Sequence, residues 1–359
     1  MSAMNSDPEV IRGRGAATNP TNRFERIDYV ADVDPDDLGD AGDPQRPRTE
    51  FYVDLSRSII TTNNSPDVGF DASINPYRGC EHGCAYCYAR PTHEYLGWSA
   101  GLDFESKILV KREAAALLRK EMLSPKWKPQ VLGLSGVTDP YQPAERRLGV
   151  TRSVLEVLAE FRNPVGVVTK NHLVTRDLDL LGELARHNAA VVCVSICTLD
   201  AKLTRVLEPR TSAPRRRLEA IRMLADAGVP VGVLTAPVIP ALTDQQIPEV
   251  LQAAKDAGAS FAGMVMLRLP YAVAPLFENW LAAHLPQRKE RVLARVRDMR
   301  GGKLNESNFA TRMKGQGVYA EQVHSLFKLH VRRVGMDRHG PELAVAAFRR
   351  PDDRQLRLF

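Results

Sequence analysis

Between Phe70 and Leu269, short runs of Val, Leu and Ile recur roughly every 30 residues, each followed by a segment of helical periodicity. The predicted strands are Lys107–Val110, Val131–Leu134, Val165–Thr169, Val191–Ile196, Val229–Leu234 and Met264–Leu267. The predicted helices lie near Glu113–Met122, Thr151–Phe161, Arg176–Arg186, Ala213–Ala227 and Ile247–Ala257. Apolar runs of this kind belong to parallel strands buried on both faces. Repeated βα units wind into a full or partial barrel. Asp226-Ala227-Gly228 and Asp256-Ala257-Gly258 each read as a helix ending at glycine before a strand. The expectation is an α/β chain.

The flanks differ. Residues 1–65 are rich in Pro, Asp, Asn and Arg and are expected to be flexible, with short ordered pieces such as Phe51-Tyr52-Val53. The barrel core is assigned to 66–270. From 271 to 334 the alternation stops; helices are expected within Pro275–Arg300 and Ala320–His330, around a loop at Gly301–Gly317. Residues 335–359 read as a loosely ordered tail. Net charge is +6, yet Leu285–Phe359 holds 17 Lys/Arg against 8 Asp/Glu, a net of +9, leaving −3 for the remainder. A basic extension suggests an anionic partner, nucleic acid being the commonest; the bland alternative is a solvated Arg-rich surface. No apolar run approaches the ~20 residues of a membrane helix, and the polar N-terminus has no apolar signal core, so a soluble cytoplasmic protein with no membrane partner is expected.

Chemistry concentrates in Asn75-Pro-Tyr-Arg-Gly-Cys80-Glu-His-Gly-Cys84-Ala-Tyr-Cys87-Tyr88, which carries three of the five cysteines. Cytosolic thiols stay reduced, so a compact triplet reads as metal or redox chemistry rather than a disulfide framework. Three thiolates on a [4Fe–4S] cluster, which normally takes four, leave one iron open for another ligand. Gly79 and Gly83 let the loop turn tightly. The alternatives are a closed zinc site of the three cysteines with His82 or His93, and three buried structural thiols.

The triplet, with an aromatic residue before its third Cys, resembles the signature of the radical S-adenosylmethionine (SAM) superfamily. The resemblance covers roughly residues 68–270 and implies a partial (β/α)6 barrel, a [4Fe–4S] cluster on Cys80, Cys84 and Cys87, and SAM on the open iron. It also implies reductive cleavage of SAM to a 5′-deoxyadenosyl radical, lyase- or oxidoreductase-type chemistry, and an external flavodoxin- or ferredoxin-like electron donor. Within the superfamily the chain is similar to the spore photoproduct lyases and their DNA-repair-photolyase-like relatives, through Thr138-Asp139-Pro140, Thr169-Lys170, Val194-Ser195-Ile196, Glu208-Pro209-Arg210 and Ala236-Pro237-Val238-Ile239.

That resemblance assigns roles residue by residue. Tyr86 would pack near the SAM adenine and Tyr88 would lie beside the cofactor. Thr138 and Asp139 would meet the methionine amino group, and Lys170 the methionine carboxylate. Ser195 would meet the ribose or carboxylate, and Ala236 would touch adenine through its backbone. Taken alone, Thr138-Asp139-Pro140 could be a turn, Glu208 and Arg210 could pair with each other or with neighbouring strands, and Arg215-Arg216-Arg217 could coat an exposed helix face. The chain departs from the lyases at Gly136-Val137, where they carry a hydrogen-donating Cys. Alternation on the strand at Val191 puts Cys193, Ser195 and Cys197 on one face. Cys193 then reads as an inert core thiol, and Cys197, nearer the mouth, as a candidate hydrogen donor.

The final Gln355-Leu356-Arg357-Leu358-Phe359 follows a polar, Pro-containing stretch. It resembles the Gln-Leu-x-Leu-Phe peptide by which bacterial DNA polymerases and repair proteins bind the replication sliding clamp, with Gln355, Leu356, Leu358 and Phe359 as anchors. Three functions compete at this level: a radical SAM enzyme acting on DNA, one acting on a small molecule or protein, and a non-catalytic metal-bearing nucleic-acid-binding module.

Overall fold

The computed structural model describes residues 11–24, 48–134, 136–309 and 311–351. Among these residues the strands are β1 Glu50–Val53, β2 Ile60–Thr62, β3 Ala72–Ile74, β4 Tyr77–Arg78, β5 Lys107–Val110, β6 Leu132–Leu134, β7 Val165–Thr169, β8 Ala190–Ser195, β9 Val231–Val238 and β10 Phe261–Met266. The α-helices are α1 Leu102–Ser106, α2 Ala114–Leu123, α3 Glu145–Leu148, α4 Val150–Phe161, α5 Leu178–Ala185, α6 Ala201–Leu207, α7 Pro214–Asp226, α8 Ile247–Asp256, α9 Val273–His284, α10 Pro286–Asp298 and α11 Gly317–Arg333.

The main sheet runs β10-β9-β8-β7-β6-β3-β2. All of its pairs are parallel except β2 with β3, so β3 and β6–β10 form six successive barrel strands, with β2 and β10 at the two ends of the sheet. Leu132, Leu134, Val165, Val167, Val192, Val194, Val231 and Val233 are buried on the helix-facing side. Each such side chain contributes roughly 1.5–3 kcal/mol by leaving water. The buried face of α4, which joins the same core, is Val150, Val154, Leu155, Leu158 and Phe161, a helical stripe. Asp200 caps α6 by accepting from the Lys202 and Leu203 amides. Gly228 and Gly258 take positive φ just beyond α7 and α8, as their sequence positions predict.

Two expectations change. Lys107–Val110 is a strand, but it lies outside the barrel, in the small sheet β1-β5-β4. The first barrel strand is Ala72–Ile74, too short and too polar in its flanks to register as an apolar run. The ordered piece at Phe51-Tyr52-Val53 is β1, and residues 11–24 of the N-terminal region pack on the core through Arg14, Gly15 and Ala16.

The extension after β10 is helical, as expected, through α9, α10 and α11. It also covers the β10 edge: the Met266 amide donates to Met313 O at 2.9 Å, and Phe261 bridges Asp337. Covering an edge strand removes a template for stray pairing. The peptide Gln355–Phe359 lies outside the described residues. Among the described residues no helix is long and apolar enough to cross a membrane.

Candidate active site

The carboxyl ends of parallel barrel strands present loops to one mouth, where active sites of such folds lie. Thr138 follows β6, Lys170 follows β7, Cys197 follows β8, Ala236 lies near the end of β9 and Arg268 follows β10. The cysteine loop, which follows β4, closes over this mouth.

That loop is fixed from three sides. The Cys80 amide donates to Phe104 O at 2.9 Å, the Ala85 amide to Leu207 O at 3.0 Å, and the Arg210 amide to His82 O at 3.2 Å. Gln142 accepts from the Glu81 amide and donates to Gly79 O. Gly83 sits at φ 64, and from the other side Gly15 approaches so closely that a Cβ there would lie 1.8 Å from Gly83 O. Both positions therefore require glycine. Behind the loop the buried Arg90 guanidinium donates to Cys84 O and pairs with Glu105. The Glu105 carboxylate also accepts from the Gly15 and Ala16 amides at 3.1 and 2.9 Å.

Cys80 and Cys84 are buried and Cys87 half-buried. Burial pushes all three thiols up, so holding them as thiolates calls for a bound positive charge. A zinc site needs four donors converging on one centre at about 2.3 Å from each sulfur. A cubane spreads its thiolates over separate irons. Both histidines offered as zinc ligands have other contacts, with His93 Nδ1 left buried and without a hydrogen-bond partner. His93 Nε2 lies 3.0 Å from Lys107 O, and His82 lies between Asn171 and Asp139. Asn171 Oδ1 accepts from Leu173 and Ser212, so its Nδ2 must be the atom 3.1 Å from His82 Nε2. An amide nitrogen only donates, so the ring proton sits on Nδ1, facing Asp139 Oδ2 at 3.4 Å.

Asp139 is thereby an organiser. It accepts from Thr169 Oγ1 and the Lys170 amide, each at 2.7 Å, and from the Tyr141 amide at 2.9 Å. Burial pushes its carboxyl up, but His82 and these donors outweigh that and hold it below the usual range. Thr138 Oγ1 donates to Tyr77 O at 3.3 Å. The Asp139-Pro140 segment does form a turn, and the turn ties the ends of β6 and β7 together.

Deeper in the mouth, Lys170 Nζ donates to Ala236 O at 3.2 Å, lies 3.9 Å from Glu208 Oε1, and sits 6.0 Å from the Tyr86 ring centroid. Glu208 is the hub: it accepts from the Tyr86 hydroxyl, pairs with Arg217 and receives the Cys197 thiol at 3.5 Å. Burial pushes its carboxyl up, yet the Arg217 and Lys170 charges hold it low. Arg217 Nη1 also donates to Ser195 O at 2.9 Å. The structure thus brings Tyr86, Lys170, Ser195, Cys197 and Ala236 together around Glu208. Tyr88 stands at the rim, its hydroxyl donating to Gly136 O at 2.5 Å. Cys193, one step down β8, is pushed up to about 12 by burial alone.

Two sequence readings are corrected here. Arg217 does not coat an exposed face with Arg215 and Arg216; it is 1% exposed. Its place was legible from helical spacing, because Pro214, Arg217, Ala220, Ile221 and Leu224 form the buried stripe of α7. Glu208 and Arg210 do not pair with each other: Arg210 pairs with Glu81 at 3.0 Å and Glu208 with Arg217.

An uncharacterized protein of Mycobacterium tuberculosis is 36% identical over 247 residues, 68% of this chain and 73% of that protein. An uncharacterized protein of Methanocaldococcus jannaschii is 29% identical over 171 residues, 48% of this chain and 61% of that one. The fold is like that of spore photoproduct lyase in complex with a dinucleoside spore photoproduct, at TM-score 0.56 and 19% identity over 80% of this chain and 81% of the lyase. The sequence model of the radical SAM superfamily matches residues 74–254, from the last residue of β3 through the cysteine loop into α8. With that match lying on the loop and strand ends just described, the chain belongs to the radical SAM superfamily, whose cofactors are a [4Fe–4S] cluster and SAM.

Proposed function

We propose that this radical SAM enzyme acts on DNA in a repair-like reaction, with Cys80, Cys84 and Cys87 as ligands of its cluster. When bound, the reduced cluster and SAM supply the 5′-deoxyadenosyl radical that abstracts hydrogen, with the electron delivered by an external flavodoxin- or ferredoxin-like donor. The chain's own residues hold and orient the cofactor. Lys170 pairs with the methionine carboxylate as a point charge, Tyr86 and the Ala236 backbone line the adenine side, and Ser195 serves the ribose or carboxylate. Thr138 and Asp139 set the loop that faces the methionine amino group.

The observation that carries the DNA reading is the outer face of α10. Arg288, Arg291 and Arg295 are exposed along one side of it, Arg295 also pairing with Asp298 at 3.0 Å, while Val292, Leu293 and Val296 pack inward. Arginines on one face are the electrostatic footprint of a phosphate backbone. The fold likeness to a lyase solved with a dinucleoside photoproduct supports the same reading. The clamp-like peptide Gln355–Phe359 adds a route onto replicating DNA.

The test is anaerobic. Labelled DNA is titrated across salt concentrations, and products of irradiated and untreated DNA are analysed after incubation with SAM and reductant. DNA binding that falls linearly with salt on logarithmic axes, together with lesion-dependent product, is the expected result. Absence of DNA binding turns the reading toward a small molecule or protein substrate. A parallel arm compares the full chain with one ending at Arg354 on clamp-loaded DNA; equal retention removes the clamp from the proposal.

Lys170 gives a separate check on cofactor placement. Lys170→Met is expected to weaken SAM binding by roughly ten- to a hundred-fold, the worth of a charge-assisted hydrogen bond at ~1.5–3 kcal/mol, with iron content unchanged. Calorimetric titration of the reconstituted variant reads it directly, and wild-type affinity would place Lys170 outside the SAM site.

A further inference from the structure

Arg268 follows β10 at the barrel mouth and has no carboxylate partner within 4.0 Å among the described residues. Its guanidinium lies 5.3 Å from the centroid of the Tyr88 ring, at the rim of the cofactor site. Its other contact is weak, Nη1 to Met313 Sδ at 3.6 Å, and its buried Nε has no hydrogen-bond partner. Two further guanidiniums stand close by. Arg300 is 1% exposed, gives its Nη donors to Thr311 O and Leu267 O, leaves Nε without a partner, and has no carboxylate within 4.0 Å among the described residues. Arg312 has one acidic partner, Asp67, and also donates to Ser65 Oγ.

Among the described residues, the carboxylate that pairs within 4.0 Å with any of these three guanidiniums is Asp67, on Arg312, while Glu306 acts on Arg300 from farther away. Burial first, and a neighbouring guanidinium next (Arg312 for Arg268, Arg268 for Arg300), push Arg268 and Arg300 down from the ordinary arginine range, Arg300 to about 10. Burying cations without counter-charge opposes folding. A chain that retains such a group beside its reactive centre has a use for it: an anion brought by a ligand supplies the missing charge. A guanidinium presents a planar fork of donors matched to phosphate or carboxylate oxygens. The Met313 contact and the free Nε leave that fork uncommitted.

We propose that Arg268, with Arg300 and Arg312 behind it, forms a phosphate-binding subsite that holds the substrate beside Tyr88. This rests on the nucleic-acid reading above and deepens it: α10 offers a surface for the strand, and Arg268 takes the phosphate adjoining the nucleotide that reacts. The subsite grips one phosphodiester oxygen pair and carries no base specificity, because phosphate contacts position a nucleic acid without reading its sequence.

The test uses the anaerobically reconstituted holoenzyme and Arg268→Met, with Arg222→Met on the exposed outer side of α7 as the control for losing one positive charge. A short single-stranded oligothymidylate, inorganic phosphate and SAM are titrated separately. Arg268→Met is expected to lose roughly ten- to a hundred-fold in oligonucleotide affinity. Its salt slope is expected to become shallower by about 0.7, the value of one single-strand phosphate contact. SAM affinity stays unchanged, and so does the thermal midpoint or it rises, since a repelling cation has been removed. Arg222→Met keeps both affinity and slope. Oligonucleotide binding by Arg268→Met at wild-type strength overturns the subsite. A matching loss of SAM affinity also overturns it, because the guanidinium would then serve the cofactor. If the wild-type enzyme binds no oligonucleotide, the nucleic-acid reading fails, and inorganic phosphate decides the subsite alone. Phosphate binding that Arg268→Met loses upholds it for a phosphorylated small substrate, and no phosphate binding by either protein ends it.

Discussion

Cys84→Ala protein, reconstituted with iron and sulfide and given SAM and dithionite, is expected to release 5′-deoxyadenosine only at the background rate. The argument is one of ligand count. A cubane normally takes four thiolates; with three, one iron is left for SAM, and with two the cluster has neither a stable seat nor a defined open corner. Cys84 is also the thiol whose carbonyl Arg90 holds, so its backbone is placed by a buried cation that the substitution leaves untouched. The loop should therefore keep its shape while losing its metal. Iron content, the visible absorbance of the anaerobic protein and 5′-deoxyadenosine together read the outcome. Cys193→Ala is the matched control: its thiol lies on β8, on the face that carries Ser195 but below the mouth, and burial alone accounts for its raised pKa. That variant should keep its iron and its SAM cleavage. Normal cleavage by Cys84→Ala would remove the three-cysteine assignment.

Much of this architecture could be read from residues. The strands at Val165 and Val191 are Val-rich runs in a parallel sheet, buried on the helix side and half-buried on the other, and such runs have few other places to go. The cysteine loop was legible because ligand spacing is local in sequence. What stayed hidden was non-local. β3 is three residues long, and its pairing with β6 depends on a partner some sixty positions away. Lys107–Val110 has the same apolar pattern whether it joins the barrel or the side sheet with β1. Residues 11–24 look like polar linker until Glu105, ninety positions away, is seen accepting from the Gly15 and Ala16 amides. Asp139 could be placed near the cofactor from its motif, but its bonds to Thr169 and Lys170 belong to the contact between two strand ends. Arg217 lay on the apolar stripe of its helix, and the basic run around it obscured the fact.

The same hub that sequence reading missed should be the most sensitive point of the core. Glu208 and Arg217 are side chains 0% and 1% exposed, paired with each other. Removing one partner of a buried ion pair leaves the other uncompensated and typically costs about 3–5 kcal/mol. Glu208→Gln preserves shape and can still accept from Tyr86, so it isolates the charge; it is expected to lose stability toward the lower end of that range. Glu208→Leu also strands the Tyr86 hydroxyl and should lie at the upper end. Urea unfolding read by intrinsic fluorescence measures both, as a fall in midpoint at constant slope. The double variant Glu208→Leu/Arg217→Met should recover much of the loss, because it replaces the ion pair by apolar contacts instead of breaking it. The consequence for function differs from that for stability. Lys170 Nζ sits 3.9 Å from Glu208 Oε1 and is held also by Ala236 O. Without the carboxylate, Lys170 loses one of its two anchors, and SAM affinity should fall in the double variant even where stability has returned. A double variant with both stability and SAM affinity restored would mean that Glu208 holds the fold alone. One with stability restored and affinity reduced makes it the residue that aims Lys170 into the mouth.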